Sequence, residues 1–212
     1  AMPNDNGNGW TFENLLSRFG NVKWRFSDQH GEMMELATYA RYVNAEGRMD
    51  DSPLAIYDAE FGDDAPTDVL LDEYTVPQCF SRDLFEMVDV NEDTSLSEDE
   101  NEVEDDQSHT LSSSSLYKNR RPPYRWILIG PERSGTGLHV DPLYTNAWVT
   151  VLQGQKRWLL FPPCTPPEEI GMIDGKPQIP SSIWFCDYYG KVTNPAIWPK
   201  KWRPVEVLQQ PG

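Results

Sequence analysis

The sequence predicts a mainly β domain preceded by helices, and three observations carry that expectation. At 212 residues the chain is long enough to bury the core of one ordinary domain. Two early segments carry apolar residues at helical spacing. Between Tyr124 and Phe161, aromatic and β-branched residues then gather into strand-length runs.

In order along the chain, residues 1–9 are rich in Gly and Asn and read as a flexible start. Trp10, Phe12, Leu15, Leu16 and Phe19 fall close to one helical face. Val22-Lys23-Trp24-Arg25-Phe26 alternates with period two, as a half-buried strand does, and Met33 to Val43 returns to a helical pattern. Ser52 to Tyr57 reads as another strand. From about residue 88 to 115 the composition turns to Asp, Glu, Ser, Asn and Thr, too polar and self-repelling to offset the entropy of ordering. This stretch reads as a disordered insertion in a single domain spanning 10–212. Its Ser95 to Glu100 segment offers an acid-directed phosphorylation site or a tail for basic proteins, against the plainer reading of a solvated loop. Tyr124 to Ile129 is the next strand. Ala147 to Leu152 and Lys156 to Phe161 flank Gln153-Gly154-Gln155 as a hairpin would, so an antiparallel sheet is expected. The Pro- and Trp-rich tail from Gly171 reads as an irregular arm across that sheet, with one strand at Val205 to Leu208.

Charge and cysteine content narrow the function classes. Residues 86–106 hold 11 of the 34 acidic groups and no Lys or Arg, and without them the net charge of −16 would fall to −5. There is no broad basic surface to grip phosphates, so no direct nucleic-acid binding is expected from this segment. No run of about 18 apolar residues suggests a membrane span, and the first residues lack the basic and apolar regions of a signal peptide. Cys79, Cys164 and Cys186 are odd in number and widely spaced, which suits reduced thiols and an intracellular location.

The chemistry centres on His139-Val140-Asp141. Residues two apart on a strand face the same way, so His139 and Asp141 would present two ligands of a 2-His-1-carboxylate facial triad to one metal ion. Alone the signal is weak, because 34 acids in 212 residues put an acid two places beyond any histidine roughly one time in six. Context strengthens it. Gly130-Pro131-Glu132-Arg133-Ser134-Gly135-Thr136-Gly137 leads straight into the pair, and such small residues permit close approach of a ligand. Lys156 opens a strand in an otherwise apolar block, either as a snorkelling surface residue or as a buried cation awaiting a carboxylate.

The run Gly130-Pro131-x-Arg133-Ser134-Gly135-Thr136-Gly137-x-His139-x-Asp141-Pro142-Leu143, followed by Gln153-Gly154-x-Lys156-Arg157-Trp158 and Phe161-Pro162, resembles the JmjC bifunctional arginine demethylases and lysyl-hydroxylases. The likeness extends to Phe19-Gly20-Asn21-x-Lys23-Trp24, Asp51-Ser52-Pro53-Leu54, Tyr74-x-Val76-Pro77, Asp83-Leu84-Phe85, Arg120 to Trp126 and Leu208-Gln209-x-Pro211-Gly212. It covers nearly the whole chain except the acidic insertion. The resemblance implies a jelly-roll, double-stranded β-helix and an Fe(II)- and 2-oxoglutarate-dependent dioxygenase. It implies His139 and Asp141 as iron ligands, Lys156 as the partner of the 2-oxoglutarate C5 carboxylate, and Thr136 as a cosubstrate or substrate contact. Lysyl hydroxylation or N-methylarginine demethylation of basic proteins such as histones or splicing factors would follow. The location implied is nuclear, with a cytoplasmic pool also open.

Three departures from the family pattern temper this. The family's second histidine ligand comes shortly after the Pro-Gly that stands here as Pro211-Gly212, whereas the chain's other histidines, His30 and His109, lie far from the motif. The domain is therefore expected to be incomplete at its C-terminal end, with weak iron binding and poor turnover for these residues alone. A cosubstrate-binding tyrosine of the family aligns with Ala55, with Tyr57 two residues on, and an asparagine aligns with Val149. A degenerate oxygenase serving as a non-catalytic protein-binding module is the alternative.

Overall fold

A computed structural model describes residues 9–26, 32–82, 123–173, 176–177 and 179–212. The expected insertion at 88–115, most of the expected flexible start, His30 and His109 lie outside these residues.

The first helix, α1 (Phe12–Phe19), forms where the apolar spacing places it. Thr11 caps it, its Oγ1 accepting from Asn14 N at 3.2 Å, and Glu13 and Arg18 sit at the ends that the helix dipole favours. Strand β1 (Lys23–Arg25) pairs antiparallel with β2 (Met33–Glu35), with Trp24 opposite Met34. Met33 to Glu35 was expected to be helical and is not. The unbroken helical stripe is Leu36, Tyr39, Ala40 and Val43, so α2 spans Leu36–Asn44 while the residues ahead of it satisfy their backbone in the ladder. Strands β3 (Ile56–Asp58) and β4 (Ile127–Ile129) pair antiparallel, which is shorter than the alternating runs suggest. Leu15, Phe19, Trp24, Leu36, Tyr39, Ile56, Leu70 and Ile127 form the buried core of this half. At its centre the Tyr39 hydroxyl lies 3.0 Å from both Leu54 O and Ile129 O, and burial pushes the phenol far above its ordinary pKa.

Outside that core, Glu73 ties a 3-10 turn (Asp68–Glu73) to α1. Arg18 Nη1 donates to its Oε2 at 3.0 Å, Trp10 Nε1 donates to the same oxygen at 2.8 Å, and Arg18 pairs with Oε1 as well. These bonds, the Arg18 guanidinium first, hold the Glu73 carboxyl below its ordinary pKa. A carboxylate with a depressed folded pKa contributes stability above its unfolded pKa and loses it as pH falls through the folded value. The melting temperature of Glu73→Gln should therefore lie below that of wild type at neutral pH. The gap should close as pH falls through and below the ordinary carboxylate range; a gap that persisted at low pH would refute this role.

The second half departs further from expectation. Strand β5 (Lys156–Leu160) begins at Lys156 as expected, but its partner is β8 (Val205–Gln209), in the register Lys156↔Gln209 to Leu160↔Val205. Ala147 to Leu152 is not a strand and Gln153 to Gln155 is not a hairpin. That segment instead lends carbonyls to the end of β8, with Gln209 Nε2 donating to Val149 O at 2.7 Å and Gly212 N donating to Val151 O at 3.4 Å. Strand propensity lost here to pairing with a distant segment. The tail is no irregular arm. Strands β6 (Met172–Ile173) and β7 (Lys176–Pro177) precede two short helices, α3 (Ser181–Asp187) and α4 (Tyr189–Thr193). Trp184, Tyr188 and Val192 recur at i, i+4 and i+8, a helical signal hidden among prolines. With Ile170, Met172 and Trp198 these residues form a second core, on which Leu138, Leu159 and Phe161 pack. Trp184 is buried and donates from Nε1 to Ile170 O at 2.7 Å, so Trp184→Ala should cost about 3–5 kcal/mol in urea unfolding. A loss under about 1 kcal/mol would show that this cluster adds little to stability.

The halves are joined where Phe12 N at the start of α1 donates to Gln153 Oε1 at 2.7 Å. No helix among the described residues is long and apolar enough to cross a membrane. All three cysteines are free and exposed, as their spacing suggested.

Candidate metal centre

His139 and Asp141 are brought together, though not by a strand. The stretch from Gly130 to Asp141 has no regular structure, and it cannot continue as β beyond the pair. Pro142 has no N–H to give a ladder, and Leu143 and Tyr144 both take left-handed backbone, with φ of 56° and 54°. Leu138 anchors this segment in the second core, while His139 on one side and Asp141 beyond it remain partly open to solvent.

Local hydrogen bonding sets the imidazole. His139 Nδ1 lies 2.8 Å from Gly137 O, and a carbonyl only accepts, so Nδ1 carries the hydrogen of that bond. The other nitrogen, Nε2, faces Asp141 Oδ1 at 3.3 Å. An imidazole lone pair and a carboxylate oxygen this close repel unless a cation, a proton or a metal ion, lies against both. Two metal–ligand bonds of about 2.1 Å meeting near a right angle separate their donor atoms by about 3 Å. The pair therefore fits two adjacent positions on one octahedral ion, with a backbone carbonyl orienting the histidine from behind. Among the described residues no third His, Cys, Asp or Glu joins them.

The glycine-rich loop packs against protein. A Cβ on Gly130 would lie 2.1 Å from Ser134 Oγ, and one on Gly135 would lie 2.9 Å from Ser181 Oγ at the start of α3. Ser134 N donates to Pro131 O at 3.2 Å, closing a turn whose third residue, Arg133, has φ 71° where glycine is the usual choice. The Arg133 guanidinium donates to Arg48 O at 2.8 Å and so fastens the loop to the first half. Thr136 is exposed on this loop, and its hydroxyl has no partner among the described residues.

Lys156 settles between its two sequence readings. Its side chain is half-buried at the head of β5, its Nζ lies 4.1 Å from the Trp158 ring centroid, and no carboxylate pairs with it among the described residues. Desolvation lowers its pKa. It is thus a partly desolvated cation without an anion, not a residue that snorkels into water. Gln209 sits opposite, accepting from Trp158 Nε1 at 2.9 Å and donating to Val149 O, a bridge that no sequence pattern announced. Neither Lys156 nor Thr136 bonds to His139 or Asp141. Tyr57, two residues beyond Ala55, packs tilted against Trp126 with ring centroids 4.6 Å apart, and Ala55 lies against Gly130.

The described residues form four two-stranded antiparallel sheets with a His-x-Asp pair beside a glycine-rich loop, which is consistent with the cupin, jelly-roll class. Residues 5–168 match the family described as Cupin-like domain, and residues 126–212 match the JmjC domain, hydroxylase. The chain belongs to the family of Cupin-like domains, and its C-terminal part is similar to the JmjC domain. Over 207 residues it is 33% identical to the bifunctional arginine demethylase and lysyl-hydroxylase psr-1 of Caenorhabditis elegans, covering 96% of this chain and 44% of that protein. Over 214 residues it is 34% identical to the lysine-specific demethylase JMJ21 of Arabidopsis thaliana, covering 97% of this chain and 19% of that protein. A shorter match, 29% over 94 residues, joins 42% of the chain to 20% of the 2-oxoglutarate and iron-dependent oxygenase JMJD4 of Mus musculus. The chain thus spans less than half the length of these relatives. The family expected from the glycine-rich loop, His139, Asp141 and Lys156 is the family found.

Proposed function

We propose that this chain carries the iron and 2-oxoglutarate site of a protein oxygenase. Its substrates would be lysyl or N-methylarginine side chains of basic nuclear proteins, and its fold a double-stranded β-helix to which β5 and β8 contribute one antiparallel pair. The observation that supports it most is the facing of His139 Nε2 and Asp141 Oδ1 at 3.3 Å, with Nδ1 held by Gly137 O. The names of the relatives, an arginine demethylase and lysyl-hydroxylase and a 2-oxoglutarate and iron-dependent oxygenase, point the same way.

Ferrous iron, with 2-oxoglutarate and dioxygen, supplies the oxidation of an unactivated C–H bond, releasing succinate and carbon dioxide. The residues of the chain do the rest. His139 and Asp141 would hold the metal on adjacent positions, and the Gly137 carbonyl keeps the imidazole turned toward it. Lys156 would receive the distal carboxylate of 2-oxoglutarate, since a half-buried ammonium without an anion gains most from a charge-assisted hydrogen bond. Thr136 offers a free hydroxyl at the edge of the loop. Hydroxylation of a lysyl carbon leaves a stable alcohol; hydroxylation of an N-methyl group leaves a hemiaminal that loses formaldehyde.

The test is mass spectrometry of Lys/Arg-rich peptides incubated with the intact protein, iron, ascorbate and 2-oxoglutarate. A gain of one oxygen or a loss of one methyl group is expected, and neither change in the presence of bound iron would overturn the assignment. With two metal donors among the described residues, these 212 residues alone should hold iron weakly and form little succinate. The second reading, a binding module without turnover, draws on that donor count and on Ala55 and Val149, and it predicts peptide binding with no iron-dependent succinate.

A further inference from the structure

Phe80 and Trp148 stack on the surface, with ring centroids 6.2 Å apart and planes within 15° of parallel. Phe80 is 49% exposed and Trp148 38%, although large rings are the side chains that gain most from burial. The rings come from distant parts of the chain. Phe80 ends a 3-10 turn (Gln78–Phe80), and Trp148 lies seven residues beyond Asp141 on the irregular segment that leaves the metal pair. Val76 and Val149, close to the two rings in sequence, are exposed as well. Exposed apolar surface of this kind marks a contact.

Charge indicates what the contact is. The segment that delivers Phe80 is acidic, with nine Asp and Glu and no Lys, Arg or His over residues 49–81. Arg18, Arg25 and Arg125 pair with Glu73, Glu60 and Asp63. Asp64, Asp68 and Asp72 stay exposed and form no ion pair among the described residues. Arg82, the nearest cation along the chain, has a partner of its own. An aromatic face carries negative charge density and attracts an ammonium or guanidinium group, while the stem of a Lys or Arg side chain covers the ring.

We propose that the Phe80–Trp148 stack is a docking shelf for a cationic side chain of a Lys/Arg-rich peptide segment, which the acidic flank attracts and the shelf holds on the segment leading from His139 and Asp141. That the docked segment is a substrate rests on the oxygenase reading; the docking itself does not.

The test uses the intact protein and a fluorescein-labelled Lys/Arg-rich peptide followed by anisotropy. Phe80→Ala and Trp148→Ala should each weaken binding about five- to thirty-fold, with unchanged melting temperatures. Trp148→Phe should recover most of the loss, and a Glu-rich peptide should not bind. Equal affinity of wild type and Trp148→Ala, or equal binding of the Glu-rich peptide, would overturn the proposal. Succinate formation measured in parallel separates the two claims. Ring-dependent binding without turnover keeps the shelf and removes the oxygenase; turnover with ring-independent binding does the reverse.

Discussion

Asp141→Ala, made in the intact protein, should abolish iron-dependent succinate formation, with a loss greater than about a hundred-fold. Removing groups that merely orient a metal ligand already costs about 10- to 100-fold, so removing the ligand itself should cost more. His139→Ala should do the same, and if the two side chains serve one ion the double variant should be no worse than either single one. The fold should survive. Both side chains are more than a third exposed, and neither belongs to a buried cluster. Iron binding followed by calorimetry separates loss of the metal from loss of structure. Succinate formation by Asp141→Ala within ten-fold of wild type would show that the pair is not the metal site.

Lys156→Met should carry the second largest effect, and it should split function from stability. A charge-assisted hydrogen bond to a desolvated ammonium contributes about 1.5–3 kcal/mol, so the KM for 2-oxoglutarate should rise about 10- to 150-fold. Methionine keeps the stem that lies beside Trp158 and removes a cation that burial disfavours. The sign follows from the lowered pKa. Folding opposes the protonated form, so the penalty is present below the ordinary lysine pKa and fades as pH rises through it. Lys156→Met should thus melt no lower than wild type at neutral pH, and any advantage should shrink in alkali. Unchanged KM, or a lower melting temperature, would assign Lys156 a structural role instead.

Much of the candidate site was legible because its signals are local. The spacing of His139 and Asp141, the small residues ahead of them and a lysine in an apolar block are all visible within thirty residues of chain. The same holds for α1 and β1, where a clean apolar period leaves little choice. What failed depended on partners. Ala147 to Leu152 has strand composition but lies along the end of β8, and the helical period of Trp184, Tyr188 and Val192 was masked by neighbouring prolines and aromatics. The glycines at 130 and 135 were read as room for a ligand, whereas they let Ser134 and Ser181 close in.

The sequence by itself determined the family and singled out His139, Asp141 and Lys156 as the candidate site, since each is a matter of residue type and short spacing along one chain. Only the tertiary structure decided how they are held. It set His139 and Asp141 on an irregular segment just ahead of a left-handed turn instead of on a strand, paired Lys156 with Gln209 across β5 and β8, and left the lysine half-buried with no anion among the described residues. Backbone pairing and desolvation depend on what lies opposite in space, and segments far apart along the chain supply it.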